Sequence, residues 1–270
     1  MQGNNILKFK EMMDSAAGIP DLVERSRKYK NIVGSLSQQA VRSNDHQYVD
    51  EAMKIAGMVT DDPSKAYVEI IRAIVKMKQK EKNTFDEAVK ITERIDNDLD
   101  LSVALHEIAV GFGRFSIDKK DDLIYSDSLD LVQKIPLNTY RAMALRNLSK
   151  VMAGIDQKRS LDLVDRSIEI LENSKGIKTM YHILALCDTG AALSLLDDER
   201  SYGFIKRAIG ISHDIVDDFE KSAVLLKIVE TEMSMGIKLN DNELIKEASL
   251  ISQGIKKEYY KTLALKVSKK

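Results

Sequence analysis

The sequence predicts an all-α fold, a right-handed α-solenoid of about 14 antiparallel helices in stacked helical hairpins. Three observations lead there. Over 270 residues a small residue followed three positions later by an aliphatic one recurs as Ala52 and Ile55, Ala88 and Ile91, Ser128 and Leu131, Ser167 and Ile170, Ala208 and Ile211, and Ala248 and Ile251. The small residues are spaced by 36, 40, 39, 41 and 40 positions, the self-similarity of a repeat array. Three prolines, thirteen glycines and no tryptophan leave too few turn-formers for an all-β chain, while 44% hydrophobic and 31% charged residues can bury a core.

The recurring element is helix B. In five of its copies a further aliphatic stands at plus seven, namely Val59, Ile95, Ile135, Ile215 and Ile255, with Ser174 the exception. Positions i, i+3 and i+7 share one helical face. The small residue lets a neighbouring helix cross closely, at an interaxial distance of about 8 Å.

Taken in order, 1–19 holds an unpaired B helix over 4–17, on which Ile6, Phe9, Met13 and Ala16 are periodic. Second helices, called A, are expected over 20–41, 63–80, 99–114, 137–154, 177–195, 218–235 and from 257 onward. Their apolar anchors are Ile71, Ile108, Leu148, Cys187 and Ile228. Six A–B hairpins then fill 20–256, and the lysine-rich 257–270 caps a single helical-repeat domain spanning 1–270. Asp62 before Pro63 reads as an N-cap, and Gly154, Gly176 and Gly236 as helix stops.

The stretch 141–170, RAMALRNLSKVMAGIDQKRSLDLVDRSIEI, resembles the tetratricopeptide-repeat (TPR) superfamily, and 85–95, FDEAVKITERI, does so too. Leu148 with Ser149 is similar to that family's leucine–glycine pair, Met152 to its next aromatic position and Ala88 to its small second-helix residue. The units are longer than the family's 34 residues, and the tryptophan-like position holds small or aliphatic residues. The resemblance implies a partner-binding scaffold.

Forty-one basic and forty-two acidic residues give a net charge of −1, so no global field draws the chain to nucleic acid or to an anionic membrane. The N-terminal stretch lacks a signal peptide's apolar core, and one cysteine excludes an intrachain disulfide, which together suggest the cytoplasm. His46, His106, His182 and His213 show no metal-ligand spacing, Cys187 reads as a buried small hydrophobe, and no cofactor is expected. Most of the eleven methionines fall on apolar faces, and the lysines of the last helix read as a solvated surface. The pairs Asp61–Asp62, Asp121–Asp122, Asp197–Asp198 and Asp217–Asp218 raise a magnesium-dependent isoprenoid-type enzyme as an alternative. Each sits where a helix should start, so capping accounts for them.

The reading that results is a non-enzymatic scaffold or adaptor that holds a protein or peptide in its concave groove, with self-assembly or homo-oligomerisation as a further alternative. Residues two before and two after each A anchor lie about 160° from it and should point outward. These rows read Glu69, His106, Arg146, Ala185, Leu226 and Ala73, Val110, Lys150, Thr189, Glu230. Glu69, His106, Arg146, Lys150 and Glu230 are therefore the candidate partner-binding residues, with a basic centre suited to an acidic segment. Asp188, next to the Cys187 anchor, implies either a slip of register or a partly buried carboxylate.

Overall fold

A computed structural model describes residues 2–78, 81–174 and 179–268, the side chains of 2–8 excepted. These residues form fourteen helices and, among them, no strand. Every expected helical segment contains a helix, whose ends fall one to two residues inside several of the expected bounds, as at 77–78 and 153–154; Gly176, Lys269 and Lys270 lie outside the described residues. The chain divides into two compact units, Met1–Arg141 and Ala142–Lys270.

The first unit contains α1 (Gln2–Ala17), α2 (Leu22–Ser43), α3 (Gln47–Ala56), α4 (Ser64–Lys76), α5 (Lys82–Thr92), α6 (Asp98–Lys119) and α7 (Asp122–Gln133). Helix α8 (Asn138–Met152) runs across the division, and α9 (Gln157–Asn173), α10 (Thr179–Ser194), α11 (Arg200–Ser212), α12 (Asp218–Leu239), α13 (Asn242–Gly254) and α14 (Glu258–Val267) complete the second unit. In the first unit α4 packs against α2, α3, α5 and α6; in the second, α12 packs against α10, α11, α13 and α14. Each helix pair in substantial contact is either consecutive in the chain or one helix removed.

The small anchors Ala52, Ala88, Ser128, Ser167, Ala208 and Ala248 and the A anchors Ile71, Ile108, Leu148, Cys187 and Ile228 are all fully enclosed, at 0% exposure. Where the small anchor is a serine it also bonds the preceding helix: Ser128 Oγ donates to the Ala109 carbonyl at 2.8 Å. The plus-seven residues are buried, but none lies on its helix face. Helices α3, α5, α7, α11 and α13 have ended by then, and Val59, Ile95, Ile135, Ile215 and Ile255 plug the core from the connector. In the first four the amide of the plug bonds the carbonyl three residues back, so a single tight turn directs the side chain inward.

The three 22-residue helices α2, α6 and α12 share one construction. Each is capped by a side chain, Asp21, Asn97 or Asp217, accepting the amide of its third residue. Each carries a serine at its fifth position that accepts backbone amides from 34 or 35 residues on: Ser26 from Thr60 and Asp61, Ser102 from Leu137, Ser222 from Lys257. Each ends on a left-handed residue, Asn44, Lys120 or Asn240, which satisfies an end carbonyl and turns the chain. An aspartate follows at once, and Asp121 and Asp241 each cap the next helix through two amides.

Two helix-boundary expectations need correction. Asp62 makes no cap, because it adopts a left-handed backbone (φ 47°), Pro63 occupies the cap position, and its carboxylate pairs with Lys65 at 3.4 Å. Gly236 does not stop α12, which continues to Leu239. A β-carbon there would lie 2.7 Å from Ile245 Cγ1 and 3.0 Å from the Asp241 carbonyl oxygen, so the glycine serves the close approach of α13.

Candidate functional site

Only part of the outward rows is open to solvent. Ala73, Val110, Ala185 and Thr189 are buried, Glu69, His106, Lys150 and Leu226 half-buried, and Glu230 exposed. The expectation fails because an A helix such as α4 or α12 is contacted by four others. Its anchor is therefore not the centre of its buried arc, and only a narrow strip escapes cover.

Arg146 departs furthest from its expected place. It is 3% exposed, and its Nη1 donates to Ser167 Oγ on α9 at 2.9 Å. Its Nε is buried with no acceptor. Burial pulls the guanidinium down to about 10, against the attraction of Asp188, so the side chain is still a cation at neutral pH.

Lys150, one turn along α8, is half-buried and has no hydrogen-bond or ion-pair partner among the described residues. Burial is the first cause of its lowered pKa; Asp188 opposes that, and Lys227 and Arg146 reinforce it. Asp188 on α10 is half-exposed and pairs with Lys227 of α12 at 3.0 Å. Burial works against the Lys227 ammonium, but Asp188 outweighs it by charge and hydrogen bond and raises the pKa, with Cys187 and Glu230 adding to the effect.

The second unit thus brings together Arg146, Lys150, Asp188 and Lys227, with Glu230 at the edge. Helices α10 and α12 pack directly, and Ala142 of α8 shares a core cluster with Leu171 of α9 and Ala185 of α10. Lys227 escaped the sequence reading because it stands one residue from its anchor. Glu69 and His106 belong to the first unit, where Glu69 joins a ladder through Arg72 (2.7 Å) to Glu107 (3.4 Å).

Elsewhere Asp121, Asp217 and Asp241 act as helix caps, and Asp198 accepts the Arg200 amide at 2.9 Å. Among the described residues no three His, Cys, Asp or Glu side chains group as metal ligands, and no helix is long and apolar enough to cross a membrane. Cys187 is enclosed, and burial is the first cause that pushes its thiol up to about 12. In the first unit a cavity of about 540 Å³ opens between α1, α2 and α3, walled by Phe9, Met13, Leu36, Tyr48, Ile55 and Met58 among others.

No family model matches the sequence, and no curated protein sequence matches it. Among solved structures the chain is similar to the crystal structure of Ton1535 from Thermococcus onnurineus NA1, at 12% identity over 96% of this chain and 94% of that one, with a TM-score of 0.27.

Proposed function

We propose that this chain is a non-enzymatic, cytoplasmic interaction scaffold: a TPR-like, right-handed α-solenoid whose A–B hairpins present a groove to a protein or peptide. The periodic burial of the six small anchors and five A anchors carries the reading, because units of similar length with a constant contact position suit an array better than a catalytic bundle. The left-handed residue followed by aspartate recurs at Asn44–Asp45, Lys120–Asp121, Asp197–Asp198 and Asn240–Asp241, a connector used repeatedly for one chain reversal. The aspartates that prompted the isoprenoid-enzyme alternative are largely engaged in caps and ion pairs.

The partner's acidic segment docks on the strip that carries Lys150 and Lys227, with Arg146 behind it. A peptide array of graded Asp and Glu content, probed with the full chain, tests this. Acid-rich peptides should be retained, and reversing Lys150 and Lys227 to glutamate should weaken retention by a few kcal/mol. Reversing Lys246 on α13, which is exposed and pairs locally with Glu243, should leave retention unchanged. Equal retention by both variants would move the partner to another surface, and a dimeric mass by light scattering that hides Lys150 would favour self-assembly.

A further inference from the structure

We propose that the Arg146–Lys150–Lys227 cluster is a binding site for a phosphoryl dianion. The proposal rests on the reading of this strip as the docking surface and names the chemistry it recognises. Around the Lys150 ammonium the charges that act are Arg146, Lys227 and Asp188, which with Lys150 itself sum to +2; Glu230 acts on Lys227 from the exposed edge. A single carboxylate leaves half of that uncompensated, whereas a phosphoryl group at neutral pH brings between about −1.5 and −2.

The cluster is built rather than incidental. Surface lysines lie in water and need no partner, but Arg146 is enclosed with an unpaired Nε, and Lys150 is half-buried with no ion pair or hydrogen bond of its own among the described residues. Holding cations in a partly desolvated place is unfavourable unless an anion returns the lost solvation. Asp188, the carboxylate that acts on both Arg146 and Lys150, is bonded to Lys227 and fixes that side chain in place. The ammonium of Lys150 is thus left as the open donor, with the Arg146 charge behind it in a low-dielectric setting where its field is least screened.

The titratable groups at the site are Arg146 and Lys150 on α8, Cys187 and Asp188 on α10, and Lys227, Glu230 and Glu232 on α12, of which burial keeps the Cys187 thiol and the Glu232 carboxyl protonated at neutral pH. An incoming dianion favours the ammonium form of Lys150 and so opposes the lowering of its pKa by burial. Between about pH 5.5 and 7.5 binding tightens as the phosphoryl group loses its second proton, whose pKa is about 6.

The test is titration calorimetry of the full chain with inorganic phosphate, phosphoserine, a phosphoserine peptide and glutamate. Phosphate and phosphoserine should bind and glutamate should bind at least about tenfold more weakly, on charge-complementarity grounds. Lys150→Met should weaken phosphate by about tenfold or more, Asp188→Asn should tighten it by raising the local charge to about +3, and Lys246→Met should do nothing. A peptide bound much tighter than free phosphoserine places the phosphoryl group on a macromolecule; equal affinities place it on a small molecule, which supports this site and overturns the peptide scaffold. No phosphate binding, binding indifferent to Lys150→Met, or glutamate bound as well as phosphate overturns the site. If acid-rich peptides are still retained through Lys150 in that case, the scaffold reading stands without it.

Discussion

Asp188 and Lys227 meet at 3.0 Å from positions one residue after the Cys187 anchor of α10 and one residue before the Ile228 anchor of α12. Arg72 and Glu107 meet at 3.4 Å from the same two positions relative to Ile71 and Ile108, with the charges reversed. In these two helix pairs, α4 with α6 and α10 with α12, the flank of one A helix is thus paired to the next by register.

The register makes the two partners of the second pair unequal. Removing Lys227 leaves Asp188 facing Lys150 and Arg146, but removing Asp188 leaves three cations without an anion. Asp188→Asn should therefore destabilise the protein by about 1–3 kcal/mol and Lys227→Met by about 1 kcal/mol or less. Urea denaturation of both variants and of the double variant checks the order, and equal losses would remove the argument.

Glu232 on α12 is wholly enclosed, and neither carboxylate oxygen has a partner. Burial, with Glu247 adding repulsion, pushes it up to about 8. Its folded pKa lies above its unfolded value near 4.5, so the native state keeps a proton that the unfolded chain releases. This contribution is fully present below about pH 4.5 and is lost as pH rises to about 8. Glu232→Gln should raise stability at pH 8 by on the order of 2 kcal/mol and change little at pH 4.5, as read from denaturation midpoints across that range.

Glycines in the long helices should split into two classes. Gly236→Ala meets Ile245 and the Asp241 carbonyl and should destabilise by about 1–3 kcal/mol. Gly34→Ala, with nothing within 4 Å of its new methyl, should stabilise by about 0.5–1 kcal/mol. Thermal melts of the two variants should shift in opposite directions.

Ala208 is fully enclosed among Ile183, Leu186, Cys187 and Ile228. Ala208→Leu should force the helices apart and destabilise by about 1–3 kcal/mol, whereas the same change at an exposed helix position should be near neutral.

Cys187 combines full enclosure with a thiol pushed up to about 12. A thiol-reactive dye at pH 8 should leave the native protein unlabelled over minutes and label it at once in denaturant. Rapid native labelling would mean that α10 opens readily.

Helix positions and enclosed anchors could be read from the sequence because a 3.6-residue period forces its apolar members to one side. Periodicity stops at the helix end, however, and so Val59, Ile95, Ile135, Ile215 and Ile255 were assigned to a face they never share. The site was half legible. Lys150 and Glu230 reach solvent, but Arg146 turns inward to Ser167, a contact that depends on where α9 crosses α8. Lys227 could have been found from charge alone, by searching for opposite charges just after one anchor and just before the next, the pattern Arg72 and Glu107 also follow.

Among the described residues, each helix pair in substantial contact consists of neighbours or next neighbours along the chain. No contact within either unit waits for a distant segment to arrive, so the loop-closure penalty that slows nonlocal folds stays small. An α2–α3–α4 group can consolidate before α6 exists, and α10–α11–α12 before α14. Emerging from a ribosome, each unit would acquire its core in instalments, with little apolar surface left waiting at any one time.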